Sequence, residues 1–206
     1  MSMLPFVSAV NEYDALVGIC MGIGLAAASG FRVFLPPFLL SIFVRSESVE
    51  LDVSGTAFEY FDSDIAVVLL GAATIVEALA YYVPWVDNLL DSITSPAAVI
   101  AGSGMTAILL EGNVDPVLQW SLAIIAGGGV SGVVQSATVV TRGASTMGTG
   151  GLGNPIVSTV ENIASLVIAL IAVMLPFVAV FVVIILIVKI LSKALSSKEN
   201  TSHQHG

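Results

Sequence analysis

Two arginines stand in stretches that otherwise read as hydrocarbon-facing. Arg32 lies in Gly30-Phe31-Arg32-Val33-Phe34-Leu35-Pro36-Pro37, and Arg142 closes the apolar, glycine-rich run that begins at Gly127. A cation in hydrocarbon costs at least ~2.5–3.5 kcal/mol on insertion scales, so each must face a cavity, an ion path or a partner charge. Glu77 lies inside another apolar run and must be protonated, paired or hydrated there. Pairing with Arg32 or Arg142 makes it a structural ion pair; left free to titrate, it is a proton- or ion-coupling site. Glu161, one turn into its helix, suits either role, or that of an acid stabilising a helix N-terminus.

Ser131, Gln135, Thr138 and Arg142 are spaced 4, 3 and 4 and so share one helical face. A polar stripe with Gly128 and Gly132 beside it faces other helices or water rather than lipid, either as packing glue or as a path lining. After Arg142, the segment 143–155 holds five glycines, among them Gly151 and Gly153. Glycines let backbone amides approach an anion closely, and Asn154 with Pro155 is expected to cap and start the next helix. No Gly-Lys-Ser/Thr ending marks a phosphate loop, and flexible re-entrant packing is the competing reading.

Tyr81, Tyr82 and Trp85 read as an interfacial belt, with a surface-lying helix following through Val86, Leu89, Leu90 and Ile93. Asp87 and Asp91, one turn apart, are a weak cation signal. The only histidines, His203 and His205, lie in a polar tail, so no nucleophile–His–acid set exists and no catalytic residue is assigned. The single Cys20 excludes an internal disulfide and a thiolate cluster, and no metal or cofactor is expected. It reads as a small packing residue.

These side chains must be positioned by membrane helices. The 206 residues are 56% hydrophobic and only 10% charged, against about 25% charged in ordinary globular chains. Mean hydropathy is +1.00. A net charge of −9 argues against nucleic-acid binding. Apolar spans are read at about 12–30, 64–83, 96–111, 117–140, 156–175 and 177–192, with a shorter piece at 32–44 broken off by Gly30 and Pro36-Pro37. The first ten residues lack a cationic stretch, so the first span is expected to stay in the mature protein. Lys189, Lys193 and Lys198 place the tail in the cytoplasm with the Arg142 loop, and the acidic loop 46–63 opposite.

The expectation is an all-α polytopic transmembrane bundle: one integral membrane domain over 1–196 and a disordered polar tail over 197–206. Six spans close the count if 156–192 folds back near Pro176; one long kinked helix with the tail outside is the alternative. Thr74-Ile75-Val76-Glu77 echoes Thr159-Val160-Glu161, which suggests a 3+3 inverted repeat with units 12–111 and 117–192 and broken or re-entrant segments.

The chain resembles DUF4126, a family of small membrane proteins. The resemblance rests on Gly30-Phe31-Arg32 with Phe34-Leu35-Pro36, and on Glu77 with Pro84, Asp87 and Asp91. It continues from Thr141 through Thr146 into Gly151-Leu152-Gly153-Asn154-Pro155 and Ser158-Thr159-Val160-Glu161. It implies a multi-span helical fold and supplies no activity. Where the family is expected to carry an Asp-Lys pair, this chain has Tyr81-Tyr82. It has Gln135-Ser136-Ala137-Thr138 where a His/Lys stretch is expected, and Glu161-Asn162 for Glu-Asp.

The leading expectation is a small transporter or channel in a bacterial inner membrane, as a single chain or a homodimer, not an enzyme. Its site for an ion or small anionic solute would be drawn from Arg32, Glu77, Gln135, Thr138, Arg142 and Glu161, with Gly151, Gly153 and Asn154 supplying backbone contacts. A scaffold or assembly factor with a dry charge cluster is the alternative. A lipid-modifying enzyme, with only Asp87 and Asp91 near an interface, is the third reading.

Overall fold

The computed structural model describes residues 5–46, 48–49, 51, 53–83 and 86–202, with side chains from 14 to 196 except residue 88. The acidic Glu47, Glu50 and Asp52, the interfacial Trp85 and both histidines fall outside the described residues. The elements are α1 (Pro5–Ser29), α2 (Leu35–Arg45), α3 (Asp64–Ala80), α4 (Val86–Leu110), α5 (Pro116–Thr149), α6 (Asn154–Met174) and α7 (Pro176–Ser202), with no strand among the described residues.

The local causes of these boundaries are visible in the sequence. The break expected at Gly30 and Pro36-Pro37 is present: α1 ends at Ser29, and Pro36 and Pro37 occupy the first turn of the shorter α2, where the missing amides have no helical acceptor to lose. Ser63 caps α3 by accepting from the Ala66 amide at 3.1 Å, and Asp115 caps α5 through the Val117 and Leu118 amides. Helix α5 widens into a π-helical stretch over Ala123–Gly128, then continues well past the expected end near 140. Residues 143–149, read as loop, are therefore helix, and Gly150 ends it at φ 64°. Helix α7 likewise runs to Ser202 through residues expected to be tail.

The protein is a helical membrane protein. Four helices are long and apolar enough to cross a bilayer: Leu89–Leu110, Pro116–Thr149, Asn154–Met174 and Pro176–Ser196. Helix α3 has 17 residues and turns Ile65, Val68, Leu69, Ile75, Val76 and Leu79 outward, as a lipid-facing surface requires. At the centre is α1, whose Leu25, Ala26, Ala27 and Ala28 are fully buried. It packs on α4, α6 and α7. Close approach needs small residues: a Cβ on Gly22 would lie 3.0 Å from the Thr106 Cα of α4, and one on Gly102 would lie 2.6 Å from the Ser131 Cβ of α5.

The run 156–192 is not one straight rod. Leu175, at φ −141° and ψ 66°, leaves the helical region. The Cβ atoms of Ala172 and Ala179 both lie within 3.0 Å of where a Gly24 Cβ would stand. Seven residues of straight helix would hold them about 10.5 Å apart, so the chain bends sharply between α6 and α7. The bend lets both helices pack on α1.

Candidate functional site

Five elements converge on one buried cluster. Arg32 follows the end of α1, Tyr81 caps the end of α3, Asp91 lies near the start of α4, Arg142 near the end of α5 and Glu161 in the first half of α6. All five are buried, the two guanidiniums at 2% and 0% exposure. Seven residues separate Arg142 from the end of α5 and Glu161 from the start of α6, about 10 Å of helix. The cluster thus sits toward the end of the bundle where α1 and α3 stop and α4 and α6 begin, off its middle.

Glu161 Oε2 is the hub. It accepts from Arg32 Nη1 at 3.0 Å, from Arg142 Nε at 3.1 Å and from Arg142 Nη2 in a shorter contact. Arg142 Nη1 donates to Asp91 Oδ1, which also accepts from the Tyr81 hydroxyl at 3.1 Å. Arg32 spends its remaining donors on the Ser158 carbonyl, the Phe31 carbonyl and the Asn162 side chain. The Tyr81 ring lies 4.3 Å from the Arg32 guanidinium carbon and 3.9 Å from that of Arg142. One π system thus attracts both cations, and the bridging carboxylate offsets their mutual repulsion.

The sequence profile of DUF4126, a domain of unknown function, matches residues 19–194. The chain belongs to this family. No curated protein and no solved structure matches it.

In this DUF4126 chain Glu77 is near the arginines but pairs with neither. Its carboxylate accepts from the Val33 and Phe34 amides at 2.8 and 3.0 Å, pinning the non-helical turn between α1 and α2. Those amides precede a helix start, where a carboxylate is favoured without any cation. Gln135 and Thr138 are buried on the α4-facing side of α5. Gln135 donates to Thr94 at 3.2 Å, Ser131 donates to the Ala98 carbonyl, and Thr138 returns to its own helix. Of the α5 stripe, Arg142 touches the cluster's carboxylates directly, and Gln135 reaches it through Thr94, whose hydroxyl is hydrogen-bonded to that of Tyr81.

The glycine-rich turn differs from its expected anion cradle. The amides of Gly150, Leu152, Gly153 and Asn154 donate within the turn, to Thr146, Thr149 and Gly151. Asn154 does not cap α6 through its side chain; Gly153 stands at that position. The Asn154 side-chain Nδ2 instead donates to Asp87 and Thr146, tying the starts of α4 and α6 to α5.

Two members of the cluster were misread, and a second polar stripe was not recognised as one. Tyr81, read as an interfacial anchor, is 2% exposed at the cluster's centre. Its spacing of four from Glu77 was a usable signal. Asp91, read as half of a cation pair, is an ion-pair partner of Arg142. Asn154, Ser158, Glu161 and Ser165 form a second buried stripe on α6 with the same 4, 3, 4 spacing as the one on α5.

Proposed function

We propose that this protein is a small ion transporter or channel of a bacterial inner membrane, with its C-terminus cytoplasmic, and that the charge cluster is its ion-handling site. The reading rests on one observation: two guanidiniums and two carboxylates, one guanidinium at the break between α1 and α2 and the rest from within α4, α5 and α6, meet in a single buried network. Broken helices with convergent charges are the arrangement that transporters use for substrate and coupling-ion sites.

The network favours a proton or small cation over an anion. Both guanidiniums already donate to Glu161, so an anionic solute would have to displace that carboxylate. The six-crossing, two-unit architecture belongs to this reading: Arg32 of the first unit meets Glu161 of the second, and Arg142 of the second meets Asp91 of the first.

Ion flux in liposomes tests the proposal. The purified chain should pass H⁺, Na⁺ or K⁺ faster than empty vesicles, and Asp91→Asn should abolish the difference. Rates equal to those of empty vesicles for every ion would refute it.

The second reading, a non-transporting scaffold, is favoured by the burial of every cluster charge below 7% exposure. It predicts no flux and a stable protein partner retained in mild detergent.

A further inference from the structure

Glu161 is half used. Oε2 takes three donors from two arginines, while Oε1, equally buried, accepts no hydrogen bond among the described residues. A bare buried carboxylate oxygen has lost its water without gaining a donor, which is normally disfavoured. Asn154 Oδ1, two turns away on the same face of α6, is also without a donor. Between and beyond them lie Ser158 and Ser165, fully buried, whose hydroxyls turn to the Tyr81 and Ala28 carbonyls. The stripe from Asn154 to Ser165 covers about 16 Å of helix, half a hydrocarbon core.

We infer that Glu161 is the protonatable station of the ion path, that its Oε1 takes up the proton, and that the polar face of α6 is the route to it. This deepens the transport reading and depends on it. Loading forms one O–H bond at Oε1 and neutralises the carboxylate, so the hub releases its hold on Arg32 and Arg142. Unloading breaks that bond toward the opposite side and restores the ion pairs; no electron changes hands. The charged groups in contact with Glu161 are Arg32 after α1 and Arg142 on α5; Asp91 on α4 and Tyr81 from α3 lie one contact further, about Arg142, while Asp87 on α4 binds Asn154 and Glu77 on α3 binds the Val33 and Phe34 amides. Arg45 on α2 turns away to Asp64. With Glu161 neutral, Arg142 keeps Asp91, while Arg32 keeps only the neutral oxygens of Ser158, Phe31 and Asn162, so the loaded state is the less stable one and returns its proton readily.

The test is proton uptake into vesicles loaded with a pH-sensitive dye and driven by an inside-negative potassium diffusion potential, with Na⁺ and K⁺ fluxes measured in parallel. Wild type should acidify the lumen, and Glu161→Gln should slow this by about a hundredfold. Should that variant misfold, wild type treated with dicyclohexylcarbodiimide decides. A protonated carboxyl adds across the carbodiimide and rearranges to an N-acylurea with nothing leaving. The adduct should map to the peptide holding Glu161, form faster at acid pH and stop the flux in proportion.

Proton flux untouched by Glu161→Gln, or an adduct only on Asp91 or Glu77, overturns the inference. Na⁺ or K⁺ flux without proton flux overturns it too and leaves the transport reading standing. No flux of any ion removes both.

Discussion

Arg142 illustrates why a buried ion pair is judged by what its removal leaves behind. Truncating one partner strands the others, and such losses run to about 3–5 kcal/mol. Arg142→Ala leaves Asp91 and the Glu161 hub without their shared cation, so unfolding in detergent should become easier by about 3–5 kcal/mol. Arg142→Lys should recover little, because an ammonium cannot fork between two carboxylates while stacking on Tyr81. Recovery of most of the loss by lysine would show that only the charge matters. Tyr81→Phe separates two contributions of that side chain. It keeps the ring under both guanidiniums but removes the hydroxyl bonds to Asp91 and Thr94, for an expected loss of about 1–3 kcal/mol; Tyr81→Ala should lose more. The sequence marked Arg32, Arg142, Glu77 and Glu161 because ionisable residues in apolar runs stand out. It could not mark which carboxylate meets which arginine. Glu77 found two backbone amides instead, and a turn's amide directions cannot be read from residue types.

At the scale of elements, hydropathy and turn chemistry gave the helices but misplaced several ends. Pro36-Pro37 reads alike as a break or as a first turn, and only the packing of Glu77 on the preceding turn selects the second. Gly143 and Gly148 looked like loop residues, yet α5 carries them, with open space around both. Helix contacts decide which glycines are essential. Gly22→Leu puts a Cβ 3.0 Å from the Thr106 Cα with more side chain beyond it, so it should push α1 and α4 apart and destabilise the bundle by about 1–3 kcal/mol, judged by melting in detergent. Gly104→Ala meets nothing within 4 Å and should leave the melting unchanged. Equal effects at both positions would mean that α1 and α4 do not meet at Gly22.

For the whole molecule, the arrangement is a bundle around α1 whose charges come together where α1 and α3 end. The bend at Leu175 carries α7 onto α1 and so sets the side from which the C-terminal lysines emerge. A cysteine at Ser196 in a Cys20→Ala background should react with an impermeant maleimide only after the cytoplasmic side is opened; labelling of intact cells would reverse the orientation. Membrane character was legible from composition alone, since 10% charge over 206 residues leaves no soluble alternative. The convergence was not, because Arg32 and Glu161 are 129 residues apart and only the packing of α6 beside α1 joins them.

That convergence is measured most directly by a double-mutant cycle between Arg32 and Glu161, using Arg32→Leu, Glu161→Leu and the pair, with unfolding free energy in detergent as the readout. Residues sharing a buried ion pair should show a coupling of about 1–3 kcal/mol, the double variant being less damaged than the two single losses together. Losses that simply add, within about 0.3–0.5 kcal/mol, would mean that the two side chains do not share a site.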